Sequence, residues 1–145
     1  MFHFYQPITV RFSDLDLLGH VNNARYLTYM EQARIGYFAH LHLRRLRDPD
    51  VRFILADAHV AFRRPIFLDD EVRVGVRVTR LGNKSFTMHY RIEDASGDTV
   101  FATGETVQVC YDYQGQRAIP LPEAWRQRIA AFEDIPAFAE EPPSP

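Results

Sequence analysis

The hydrophobic pattern of this chain changes period twice. Over residues 5–12, Ile8, Val10 and Phe12 alternate with Thr9 and Arg11, the two-residue repeat of a strand with one buried face. A short polar loop follows over residues 13–21, with two aspartates and Gly19. From Asn22 and Asn23 the repeat turns helical: Tyr26, Leu27, Met30, Ala33, Tyr37, Phe38 and Leu41 recur at three- and four-residue spacing. Either asparagine suits the N-cap, where a side-chain oxygen accepts an orphan amide of the first turn. Tyr29 and Ile35 add apolar surface off that stripe, and only Arg25, Glu31 and Arg34 are charged between residues 22 and 40. Such a helix needs cover on more than one side, which predicts a helix wrapped by a sheet.

Residues 41–50 are polar and end the helix before Pro49. Four strand-like runs follow, over residues 53–62, 71–80, 85–93 and 99–113. In the second, Val72, Val74, Val76 and Val78 alternate with Arg73, Gly75, Arg77 and Thr79. Gly82-Asn83 and Ser96-Gly97-Asp98 supply tight turns, so consecutive strands pair antiparallel. The expected fold is α+β: a five-stranded antiparallel sheet and one long helix, in a single domain over residues 1–132. A short helix is expected over residues 122–132. Residues 133–145 are acidic and proline-rich, which predicts a flexible tail.

Composition narrows the class. A chain of 145 residues with 46% apolar and 25% charged side chains matches one soluble globular domain. The single cysteine, Cys110, excludes an internal disulfide, and no C-x-x-C pair exists for a metal. With no basic-then-apolar leader, the expected location is the cytoplasm. No run approaches the ~20 apolar residues of a membrane helix, so no membrane partner is expected. Net charge is −2, but residues 44–91 carry +5 and residues 92–145 carry −7. The positive middle suits a small phosphate-bearing ligand; without an overall basic balance or a nucleic-acid motif, no nucleic-acid partner is expected.

The candidate chemistry sits in the first loop. Asp14, Asp16, His20, Asn22 and Asn23 feed a helix N-terminus, whose unpaired amides and partial positive charge can hold a developing oxyanion. A carboxylate beside it can attack a carbonyl or deprotonate water. Asp14, next to the strand end, is placed to bond loop amides; Asp16 lies nearer the flexible middle of the loop.

The run Asp14-Leu15-Asp16-Leu17-Leu18-Gly19-His20-Val21-Asn22-Asn23-Ala24-Arg25-Tyr26-Leu27, with Glu31 and Ala33-Arg34 after it, closely resembles acyl-CoA thioesterases of the 4-hydroxybenzoyl-CoA thioesterase type, the long-chain acyl-CoA branch being nearest. The resemblance spans residues 5–122 and includes Arg64-Pro65, Asp70-Glu71-Val72 and Gly82-Asn83-Lys84-Ser85-Phe86. It implies the hotdog fold, a curved antiparallel sheet around one long helix, assembled as a homodimer or homotetramer. It implies hydrolysis of an acyl-CoA thioester, with coenzyme A as part of the substrate and no cofactor; no metal is expected, because His40 and His42 lie too close to share one helix face and have no further ligand cluster. The family's catalytic aspartate falls on Asp16, as nucleophile or as general base. The backbone amide that polarises the thioester carbonyl falls on Asn23. Asn22, Tyr26 and Glu31 fall among its substrate-binding positions, and Arg63, Arg64, Lys84 and Ser85 are the matching candidates for carrier contacts.

Three positions keep two readings. His20 is a loop-ordering residue or an assistant in catalysis; the plant acyl-carrier-protein thioesterases pair such a histidine with an asparagine where this chain has Leu18. Glu31 binds substrate or pairs with Arg34 one turn on. Asp57 and His59 share a strand face opposite Ala58, Val60 and Phe62, at an exposed or interface position or lining a dimer mate's acyl pocket. Asp69-Asp70 replaces the Gly-Asp found in many relatives, a change of turn. The rival functions are an acyl-carrier-protein thioesterase and a non-catalytic acyl-ligand binder of the same fold.

Overall fold

The computed structural model describes residues 1–43 and 52–139. Most of the polar connection expected over residues 41–50, and residues 140–145 of the expected tail, lie outside the described residues.

The elements are β1 (Tyr5–Ile8), α1 (Asn23–His40), β2 (Phe53–Phe62), β3 (Val72–Leu81), β4 (Ser85–Asp94), β5 (Val100–Asp112), β6 (Arg117–Ala118) and α2 (Glu123–Glu133). Every strand pair is antiparallel. The sheet order is β1-β3-β4-β5-β2, with β6 folded back on β5. The described residues thus hold six strands where five were expected; the two residues of β6 are too few to alternate. β1 is shorter than its pattern, because the Asp14 carboxylate captures the Arg11 amide at 3.0 Å and turns residues 12–14 into a 3₁₀ turn. Phe12, expected on the strand's apolar side, is exposed.

Asn22 caps α1, its side chain accepting the Ala24 amide at 2.9 Å. The helix buries Tyr26, Tyr29, Met30, Ala33, Tyr37 and Phe38, and lies against β1, β3 and β4. Opposite them stand Val72, Val74, Val76 and Val78 of β3 and Phe86, Met88, Tyr90 and Ile92 of β4. Two helix positions differ from the sequence pattern. Leu27, expected on the stripe, is exposed, and Tyr29, expected off it, is buried. No helix among the described residues is long and apolar enough to cross a membrane.

Bulges move the apolar phase within two strands. In β2 the register shifts between Leu55 and Asp57. Phe53 and Leu55 therefore share the inner face with Ala58, Val60 and Phe62, while Asp57 and His59 point outward and pair at 3.2 Å. In β3 the shift between Val78 and Arg80 returns Leu81 to the core.

One end of the sheet is closed by α2. Trp125 packs on Phe38 and Phe53, with ring centres 5.1 and 4.9 Å apart, and Phe86 stands edge-on to Phe53 at 4.9 Å. The buried Arg126 donates to the carbonyls of Asn83 (2.9 Å) and Ala137 (2.7 Å) and lies 3.9 Å from the centre of the Phe138 ring. The Ala139 amide bonds the Leu81 carbonyl at 2.8 Å. Residues 133–139, the start of the stretch expected to form a flexible tail, are thus hydrogen-bonded to the domain.

Candidate active site

At the opposite end, residues 12–22 form a narrow two-legged loop. The Asn22 amide bonds the Asp14 carbonyl (2.9 Å), Leu15 and Val21 form a bridge, and the Asp16 amide bonds the His20 carbonyl (3.0 Å). Gly19 closes the tip at φ +85°, which a side chain would strain, while its amide bonds the Asp16 carbonyl (3.0 Å). The Val21 amide bonds the Ile66 carbonyl (2.8 Å), fastening the second leg to the chain beyond β2.

The two aspartates sit in different surroundings. Asp14 is 8% exposed. Its carboxylate accepts the Arg11 amide and, at 2.7 Å, the Tyr29 hydroxyl; the Arg25 Nε lies 3.8 Å away. Asp16 is half-buried and accepts only the Leu18 amide, at 2.9 Å; no ion pair engages it among the described residues. Its second carboxylate oxygen has no hydrogen-bond partner among the described residues.

At the helix start, the Ala24 amide is taken by the Asn22 side chain and the Arg25 amide by the Asn22 carbonyl (2.9 Å). The Asn23 amide has no hydrogen-bond partner among the described residues. A free amide at the positive end of an 18-residue helix is a ready donor to an oxyanion.

The other predicted residues scatter. His20 places Nδ1 3.3 Å from the Val21 carbonyl and its ring edge-on to Phe67, without touching the Asp16 carboxylate. Tyr26 is core: its ring stands 5.0 Å from Phe62, its hydroxyl donates to the Arg64 carbonyl (3.2 Å), and burial raises its pKa. Glu31 is exposed on α1 and makes no pair with Arg34. Arg34 reaches the Tyr90 hydroxyl instead, at 3.2 Å, because that oxygen is buried and held by Thr106 at 2.7 Å. Arg63 and Arg64 are exposed beside the loop, their backbone amides bonded to the Phe101 carbonyl at 2.9 and 3.1 Å. Lys84 and Ser85 lie at the far end: the Lys84 carbonyl takes the Cys110 amide, level with Phe53. Ten residues of β3 separate the two ends, roughly 30 Å.

The sequence reading missed the Tyr29–Asp14 contact, which puts an off-stripe tyrosine into the core. It also missed the apolar rim of the loop: Phe12, Leu17, Leu18, Phe67 and Leu68 are all exposed. The Leu17-Leu18 pair at a loop tip was the available signal. Among the described residues no group of three His, Cys, Asp or Glu is placed to hold a metal.

Proteins similar to this chain include thioesterases. A thioesterase from Thermus thermophilus, solved in complex with coenzyme A and zinc, is 44% identical with a TM-score of 0.80, covering 93% of this chain and 98% of that one. The long-chain acyl-CoA thioesterase FadM of Escherichia coli is 29% identical over 84% of this chain and 93% of its own. The uncharacterized protein YsmA of Bacillus subtilis is 30% identical over 88% and 86%. The likeness carries the hotdog-type antiparallel fold that the loop motif implied. Residues 10–129 match the family model described as the thioesterase-like superfamily, and the chain belongs to that superfamily.

Proposed function

We propose that this chain hydrolyses acyl-CoA thioesters, with the carbonyl oxygen held by the Asn23 amide and Asp16 driving the attack. The carrying observation is two unsatisfied groups on one short loop and the helix start that follows it. One is a carboxylate with one oxygen unbonded; the other is a first-turn amide with no partner among the described residues. Asp16 either takes a proton from a water that attacks the carbonyl carbon, or attacks that carbon itself to form a mixed anhydride that water then hydrolyses; in both routes the C–S bond breaks, the acyl group leaves as a free carboxylate, and the thiolate is protonated as free coenzyme A. The relatives named as acyl-CoA thioesterase and as a coenzyme A complex support this substrate.

The working unit is proposed to be a homodimer joined through β2. That ten-residue strand pairs only with β5 among the described residues, and its inner face leaves Leu55, Ala58 and Phe62 exposed. An open edge of this kind favours pairing with a second chain. Antiparallel pairing of two β2 edges about a two-fold axis brings the partner's Phe53 end against this chain's Phe62 end. Lys84 and Ser85 of the partner subunit then approach the Asp16 end, where Arg63 and Arg64 already stand. The basic groups that one chain keeps apart thereby converge on the carrier's phosphates.

The test is release of free thiol from a panel of acyl-CoA substrates. Asp16→Asn is expected to abolish it while leaving the melting curve unchanged. Asn23→Ala keeps the backbone donor and is expected to be much milder. Retained turnover in Asp16→Asn would remove Asp16 from the role, and tight acyl-CoA binding without thiol release by the wild type would make the protein a binder. Running one acyl chain on coenzyme A and on acyl-carrier protein separates the two carriers.

A further inference from the structure

We infer that Asp14 is a positioning residue: it holds Asp16 and the Asn23 amide at a fixed separation, with Tyr29 as its anchor on the helix. The inference rests on the thioesterase reading above. Asp14 itself is buried beneath the loop, so its part is to place other groups.

Both reacting groups are referenced to this one residue. Asp16 follows it by two positions on the first leg of the loop. Asn23 follows Asn22, whose amide bonds the Asp14 carbonyl at 2.9 Å. The main chain of Asp14 therefore sets the spacing at the loop's mouth. Its side chain sets the tilt of the helix. One carboxylate oxygen takes both the Arg11 amide, on the approaching chain, and the hydroxyl of Tyr29. Tyr29 lies seven residues past the cap, about 10 Å along the axis. The other oxygen lies 3.8 Å from Arg25 in the first turn. Three points on α1, at its cap and in its first and second turns, are thus tied to one residue of the loop.

The Tyr29 contact suits this purpose. The ring is 3% exposed, and burial together with the Asp14 carboxylate holds the hydroxyl well above the usual phenol range, so it remains a donor. A hydrogen bond from a buried donor to a carboxylate is among the stronger ones. Its length, 2.7 Å, leaves little play.

Misplacing reacting groups by about 1 Å costs on the order of 100-fold in rate. Asp14→Asn, which removes the charge facing the two donors and sets an amide NH₂ toward the Arg25 guanidinium, is expected to lower kcat about 30- to 100-fold with KM changed less than about twofold. Tyr29→Phe, which removes only the anchor's hydroxyl, is expected to lower kcat about 5- to 10-fold, again with KM nearly constant. The double variant should fall no further than Asp14→Asn alone, because the two groups act as one device. Thermal melts at the assay temperature must show all three folded. A merely structural role predicts the opposite pattern: a lower melting temperature with kcat per folded molecule unchanged. Wild-type kcat in both single variants, or a loss carried by KM, would overturn the inference. Absence of thiol release by the wild type, or full turnover in Asp16→Asn, would instead overturn the thioesterase reading and take this inference with it.

Discussion

Leu27 and Phe38 lie eleven residues apart on α1, three turns, and so share one helix face. Phe38 is 4% exposed and Leu27 is 40% exposed. The difference belongs to the two ends of the sheet. Around Phe38 the domain has supplied its own cover, with Trp125, Phe53 and Phe86 packed ring to ring and α2 laid across them. Around Leu27 it has supplied none: the loop tip, the end of β2 and the segment after it present Leu17, Leu18, Phe62 and Phe67 to solvent. Polar groups follow the same division. At the closed end Arg126 spends its donors on two carbonyls, while at the open end a helix amide and a carboxylate oxygen go unpaired among the described residues. At the N-terminal end of the helix only the face that carries Leu27 lies uncovered, while Tyr26, Tyr29 and Met30 are buried. In the proposed reading that face is covered by substrate and a second subunit.

The comparison breaks most sharply if the two ends do not separate activity from stability. At the open end, Asp16→Asn should remove at least about 100-fold of turnover, with denaturation within about 0.5 kcal/mol of wild type, since its side chain carries one loop bond. At the closed end, Trp125→Ala should cost about 3–5 kcal/mol in urea denaturation, the usual loss for a large buried aromatic, while leaving kcat per folded molecule unchanged. A Trp125→Ala protein that is stable but inactive would mean that the closed end carries function. A smaller effect sharpens the picture within the open end. Replacing Arg63 and Arg64 together by alanine should raise KM for acyl-CoA about tenfold with kcat within about twofold, as expected for uniform binding of the carrier's phosphates. An unchanged KM would move the carrier elsewhere.

The strands and the loop were legible in the sequence; the division into two ends was not. Strand alternation located β2, β3, β4 and β5 closely, because each presents one face to a continuous core. It could not reveal the phase changes. Phe53 and Leu55 look like the wrong face of β2 until the bulge before Asp57 is known, and Leu81 does the same in β3. A bulge inserts one residue into one strand, and the single chain carries no mark of its partner's register. The loop was legible because capping and turn chemistry are local. An asparagine at 22 or 23 as cap and Asp14 as an amide acceptor follow from contacts within a few residues; the choice of Asn22 and the left-handed Gly19 came with the structure. Tyr29 and Arg34 were not. Their polar atoms settle on Asp14 and Tyr90, choices decided by which buried oxygen lies within reach after folding. Leu27 was read as core because periodicity reports the face of a helix and says nothing about where its cover ends.

The smallest expected effect concerns the polar exception in the closed half. Glu133 is 9% exposed, and its carboxylate accepts the Tyr37 hydroxyl (2.9 Å) and the Val78 amide (2.7 Å). Burial raises its pKa, against the opposing pull of those hydrogen bonds and of His3 and Arg77. A carboxyl group raised above its unfolded value of about 4.3 favours the folded state most when protonated. Its contribution is complete below about pH 4 and is lost as pH rises through the folded pKa. Glu133→Gln cannot titrate and keeps an oxygen for both donors. The variant should therefore gain in melting temperature over wild type as the pH is raised from about 4 to 8, with the two closest at the acid end. The gain should be modest, because Glu133 borders a cavity of about 290 Å³ that Met1, His3 and Arg77 also line, and access to water softens the burial. Melting curves that run parallel across that range would mean the carboxylate ionises there without penalty. Glu133 would then mark a wet gap in the closed half, and the contrast between the two ends would rest on the aromatic cluster and Arg126 alone.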